Sequence, residues 1–79
     1  MHLSELPLHS PATVTVVHWD SMSLPEGQRL RELGLVEGAS IEALHRGGFF
    51  GKGPLACRIG RMTVAMRRAH AQAIGVVPL

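Results

Sequence analysis

Cysteine is almost absent from this 79-residue chain, and so are aromatic side chains: one cysteine (Cys57), one tryptophan, two phenylalanines and no tyrosine. A lone thiol excludes an intrachain disulfide framework and any zinc site built on several cysteines. No apolar run approaches the ~20 residues that a membrane-spanning helix requires. The opening Met1-His2-Leu3-Ser4-Glu5 lacks the basic start and apolar stretch of a secretory leader. Acidic residues stop at Glu42. Residues 1–45 carry six acids against two arginines, a balance of −4, whereas residues 46–79 carry six basic residues and no acid, a balance of +6. What remains is a hydrophobic share of 46% against 18% charged, the balance of a globular chain. A chain of this size buries only about 60% of its unfolded surface, so its core is thin. These features predict one small cytoplasmic domain over residues 1–79, with residues 1–10 as an N-terminal arm, and argue against a stand-alone enzyme.

Periodicity places the elements. Ala12 to His18 is β-branched and alternating, with Val14 and Val16 expected on one face. Pro11 suits the start of that strand and sets off the arm, whose Leu3, Leu6 and Leu8 are available to lie over the fold. A short helix follows: Ser23 as N-cap, Glu26 to complete a capping box, Pro25 in the first turn, Leu30 and Leu33 on one face, and Gly34 as its left-handed stop. Ala39 to Arg46 alternates again, with Ile41, Ala43 and His45 opposite Ser40, Glu42 and Leu44. Residues 47–54 form a glycine-rich loop. Leu55, Cys57 and Ile59 then face one way on a third strand, and Met62, Val64 and Met66 on a fourth, with Gly60-Arg61 as a tight hairpin turn. A helical turn fits Arg67 to Ala73 and a closing strand fits Ile74 to Val77. Five short strands with so little helix predict a mainly β protein, a small closed or nearly closed barrel, because closure removes edges that so small a sheet cannot otherwise cover.

The run Arg29-Leu30-Arg31-Glu32-Leu33-Gly34-Leu35-Val36-Glu37-Gly38 before the strand Ser40 to Leu44 resembles the signature R-L-x-E-L-G-L-x-x-G-x-x-I/V of the FeoA family. Gly53-Pro54-Leu55, Val64-Ala65-Met66-Arg67-Arg68, Ile74-Gly75-Val76 and the opening Leu3-Ser4-Glu5-Leu6 are similar to the family's other blocks. The resemblance implies a five-stranded SH3-like barrel with one short helix after the first strand and a helical turn before the last. It also implies a non-enzymatic accessory of bacterial ferrous iron transport, docking on the cytosolic GTP-binding region of the ferrous iron permease and peripheral to the membrane only through that partner. Three stretches depart from the pattern: His9-Ser10-Pro11, the basic loop Gly51-Lys52-Gly53-Pro54, and Ala69-His70 after the double arginine, where the family commonly places acids. The same barrel also occurs as the C-terminal module of iron-dependent repressors, so a stand-alone relative of that module is an alternative. A nucleic-acid-binding barrel using the basic half is another, disfavoured because no aromatic lies on the basic strands for stacking.

Five histidines invite a metal reading, but none forms an i, i+4 pair or a close cluster. His18 with Asp20, and His45 with Cys57 across neighbouring strands, are the pairings that can be constructed. No metal, cofactor or catalytic residue is expected, and Cys57 reads as a small buried hydrophobe. The glycines of residues 47–53 lack the Gly-Lys-Ser/Thr and following helix of a phosphate loop. Phe49 and Phe50 stand side by side in that loop: one can plug the barrel end, which leaves the other exposed as an anchor for a partner. Arg67 and Arg68 are adjacent and face opposite ways, one to pair with Glu42 or Glu37 and the other to stay outside. Phe49, Phe50, Lys52, Arg67 and Arg68 are therefore the expected partner contacts, whereas Leu30, Leu33 and Leu35 belong to the core.

Overall fold

A two-residue turn, with Gly60 at φ 58°, opposes Ile59 to Met62 and so fixes the register of the hairpin between β3 (Leu55–Ile59) and β4 (Met62–Met66). A glycine at the first turn position supplies a twist that matches the strands. The computed structural model describes residues 1–48 and 53–79. Around that hairpin it sets β1 (Ala12–Val17), β2 (Ser40–Arg46) and β5 (Ile74–Pro78) in one antiparallel sheet of order β4-β3-β2-β1-β5. Two helices complete the chain, α1 (Leu24–Glu32) between β1 and β2, and α2 (Arg68–Ala71) between β4 and β5.

α1 begins and ends where its capping residues require. The Glu26 N–H donates to Ser23 Oγ at 3.3 Å, and Pro25 occupies the first turn, where its missing N–H leaves no bond unmade. Only that half of the predicted capping box forms, because the Glu26 carboxylate turns to Arg29 instead. At the other end Gly34 adopts φ 102°. Its N–H bonds the Arg31 carbonyl at 3.0 Å, and the Leu35 N–H bonds the Leu30 carbonyl at 2.9 Å, a Schellman stop with two buried leucines closing over it. Gly27 is buried against Trp19, whose ring carries the Arg31 guanidinium 4.1 Å from its centre.

Two bulges change the expected alternation. The register of β1 against β5 shifts between Val14 and Val16, so Val16 is 40% exposed and Val17 is buried in its place. The register of β2 against β3 shifts between Ala43 and His45, which turns His45 to solvent. An extra residue on one strand reverses every side chain beyond it. The predicted faces Val14/Val16 and Ile41/Ala43/His45 therefore break at their last member. Met62 also leaves the predicted inner face of β4: at the hairpin tip it lies half exposed, while Val64 and Met66 are buried.

The core is shared between the sheet and the N-terminal segment. Leu3 and Leu6 are fully buried beside Leu30, Leu35, Ile41, Cys57 and Ile74, and Leu8 is partly exposed. A single turn over Leu3–Glu5 is held at its start by His2, whose N–H donates to Glu5 Oε1 at 2.9 Å. His2 bridges Gly75, and the Val76 N–H donates to the Met1 carbonyl at 2.8 Å. Arg46 Nη2 donates to the carbonyl of Ser4 at 3.2 Å and to that of Leu6.

Candidate functional site

A concavity of about 530 Å³ lies between the first turns of α1 and the end of β4, lined by Ser23, Glu26, Arg29, Pro54, Met66, Arg67 and His70 among others. The helix caps of α1 and α2 position these side chains: Glu26 and Arg29 lie one turn apart on α1, Arg67 is the N-cap of α2, and His70 follows within it. Arg29 Nη2 donates to Glu26 Oε1 at 2.6 Å and reaches across to the Ala65 carbonyl of β4 at 3.3 Å. That hydrogen bond, together with the positive charges of Arg29, His70 when protonated, and Arg67, holds the Glu26 carboxyl below its ordinary value despite partial desolvation. The same bond raises Arg29 above its own usual range. His70 Nδ1 lies 3.6 Å from Glu26 Oε1, outside hydrogen-bond range, and is a buried nitrogen without a partner among the described residues.

The Glu26–Arg29 spacing on a helix was a readable sign of this pair. The approach of His70, 44 positions beyond Glu26, had no local signal. Of the predicted contact residues, Arg67 lines this groove, and Arg68 lines a smaller depression with Ser4, Arg46, Gly53 and Leu55. Neither arginine pairs with Glu42 or Glu37. Glu42 Oε1 instead accepts from Arg58 Nη2 at 2.7 Å, because Arg58 is its cross-strand partner in β2–β3. Phe49, Phe50 and Lys52 lie outside the described residues.

The base of their loop is described, and it is a narrow neck. The Gly47 N–H donates to the Pro54 carbonyl at 2.9 Å and the Gly53 N–H to the Gly47 carbonyl at 2.8 Å. A Cβ on Gly53 would stand 2.7 Å from Gly47 backbone atoms, so only glycine allows the two arms to close. Pro54 borders the groove that holds Arg67, and Gly53 borders the depression that holds Arg68.

The candidate His45–Cys57 pairing does not arise. Cys57 is fully buried opposite Ala43, its thiol pushed up to about 11 by burial, and His45 points away. Among the described residues no group of three or more metal-ligating side chains comes together, and no helix is long and apolar enough to cross a membrane.

The model of the FeoA domain matches residues 1–78. The chain belongs to the FeoA family. This is a family of small accessory domains of ferrous iron transport, and its fold is an SH3-like barrel. Among solved structures, the FeoA protein of Chlorobium tepidum is 34% identical with a TM-score of 0.85; the alignment covers 100% of this chain and 70% of that one. The FeoA of Stenotrophomonas maltophilia, solved with zinc and described as an SH3 domain protein, is 35% identical over 98% of this FeoA chain and 89% of its own, with a TM-score of 0.77. A manganese-dependent transcriptional repressor is similar over 41% of its length, at 27% identity and a TM-score of 0.73. No curated protein matches the chain.

Proposed function

We propose that this FeoA chain docks through its barrel on the cytosolic GTP-binding region of the ferrous iron permease, and supports iron uptake there without catalysing a reaction itself. The observation that carries this reading is the arrangement around the loop neck. Arg67 and Arg68, each exposed and without an ion-pair partner among the described residues, flank the two sides of the neck made by Gly47, Gly53 and Pro54, between whose arms the sequence carries Phe49, Phe50 and Lys52. Cations on both sides of a neck whose intervening sequence holds two phenylalanines suit a protein surface with acidic groups around an apolar pocket. A glycine-rich loop loses conformational freedom when it is held, which sets the affinity at a modest, micromolar level.

The test is calorimetric titration of the chain, and of its Phe49→Ser, Phe50→Ser and Arg67→Glu variants, into the GTP-binding region. At least one Phe variant should lose ~1–2 kcal/mol of binding or more while melting like the parent. If every variant binds as tightly as the parent, the interface is elsewhere. If both Phe variants unfold instead, the loop is a plug of the barrel end.

A further inference from the structure

We infer that the outer edge of β4 is a second recognition element, a sheet edge that takes an extended acidic segment of a partner protein as a sixth strand. The two-residue turn makes Ile59 and Met62 the first pair of the β3–β4 ladder to exchange both backbone bonds. Alternation then assigns Cys57↔Val64 and Leu55↔Met66 to the same class, and leaves Arg58↔Thr63 and Ala56↔Ala65 as the pairs that exchange none. The N–H and C=O groups of Thr63 and Ala65 accordingly point away from β3. β4 has no other strand beside it. Among the described residues, the one group bonded to this edge is the Arg29 guanidinium on the Ala65 carbonyl. Half of the Arg29 side chain is exposed, so an incoming strand can displace it.

The chemistry of the occupant follows from the flanks. Ala65, opposite the equally small Ala56, leaves a low strip on the outer face of the sheet. Arg29 stands on one side of it and Arg67 just past the end of the strand, both on the wall of the 530 Å³ groove. A carboxylate on the added strand near Ala65 would meet Arg67, which has no ion-pair partner among the described residues, and would share Arg29 with Glu26, which holds it at 2.6 Å. A second copy of β4 is the competing occupant. It would bring Arg61 and Arg67 of one chain against those of the other, a like-charge contact that disfavours self-pairing. Main-chain bonds along a sheet edge with charge selecting the sequence is an established mode of peptide capture. The inference rests on the docking proposed above for who the partner is, but not for the existence of the edge site.

The experiment follows the backbone amides of the full chain by NMR during titration with a short peptide alternating valine and glutamate, and with its valine–lysine counterpart. The glutamate peptide should shift the Thr63 and Ala65 amides and protect them from exchange, and the lysine peptide should bind more weakly. Ala65→Pro removes an outward N–H without touching the β3 ladder, and should reduce affinity at least about tenfold. Arg67→Glu leaves the backbone intact and should do the same, which keeps the test open if the proline variant unfolds. Shifts confined to other residues, equal binding of both peptides, or concentration-dependent shifts at Thr63 and Ala65 without peptide would each overturn the inference. The GTP-binding region is titrated in parallel. If the parent chain and both variants bind it equally, docking stands and the edge does not serve that partner, while the peptide result decides the edge site itself. If the parent does not bind it, docking fails and the peptide result decides the edge site.

Discussion

A Cβ placed on Gly75 would lie 2.7 Å from Val16 Cγ1 and 3.2 Å from Thr15 Oγ1, because the β1 bulge crowds its neighbours against β5. Gly75→Ala should therefore lower stability by ~1–3 kcal/mol, as overpacking does, and thermal melting will read it; an unchanged melting temperature would show that the bulge relaxes freely. Cys57 behaves as an inert core residue for a related reason. With its thiol raised to about 11 by burial, almost no thiolate forms near neutral pH, and thiolate is the species that reacts. A disulfide-exchange reagent should find no thiol in the folded chain at pH 8 and one in denaturant. Glu26 links a residue to pH. Its carboxyl is held below the ordinary value, chiefly by the bond from Arg29, so its contribution is complete above the unfolded value and is lost as pH falls through the folded one. Arg29→Met should flatten the acid limb of the stability profile, and an unaltered limb would place the acid sensitivity in other carboxylates.

At the scale of elements, one side chain adds to the backbone bonds that tie down the N-terminal segment. Arg46 Nη2 donates to the carbonyls of Ser4 and Leu6, holding Leu3 and Leu6 over the core. Arg46→Met keeps the aliphatic stem and removes both bonds. It should cost ~1.5–3 kcal/mol in denaturant unfolding and speed amide exchange in residues 1–9 before the sheet loosens. How much of this was legible depends on range. α1 was readable because Ser23, Pro25 and Gly34 act within a few positions of themselves, and the β3–β4 hairpin because Gly60-Arg61 decides a turn locally. The bulges in β1 and β2 were not: Val16 and His45 continue a perfect alternation, and only the pairing of distant strands reveals the extra residue. Leu3 and Leu6 suggested an apolar arm, but nothing near them announces Arg46 as its anchor. At the groove the double arginine was visible, whereas the meeting of Glu26 with His70 exists only once the chain has folded.

Across the whole molecule the two charge blocks of the sequence partly interleave. Arg58 of the basic half pairs with Glu42 of the acidic half, and His70 approaches Glu26. Among the described residues, acids beside the basic half disfavour a phosphate backbone as partner. The chain should show no retention on single- or double-stranded nucleic acid at physiological ionic strength, and micromolar binding that weakens steeply with salt would reverse that expectation. The sheet order carries a further consequence for synthesis. β1 sits between β2 and β5, and the Met1 carbonyl is bonded by Val76, so the N-terminal segment and β1 wait for a strand that is synthesised after the other four. A nascent chain can assemble the β2–β3–β4 meander while still attached to the ribosome. Until residues 74–78 emerge, though, one side of β1 has no partner, and Leu3 and Leu6 lack Ile74 and the backbone bond that fixes Met1. The vulnerable species for this fold is therefore a chain that has every strand but β5, and a ribosome paused shortly before β5 would hold it in its most aggregation-prone form.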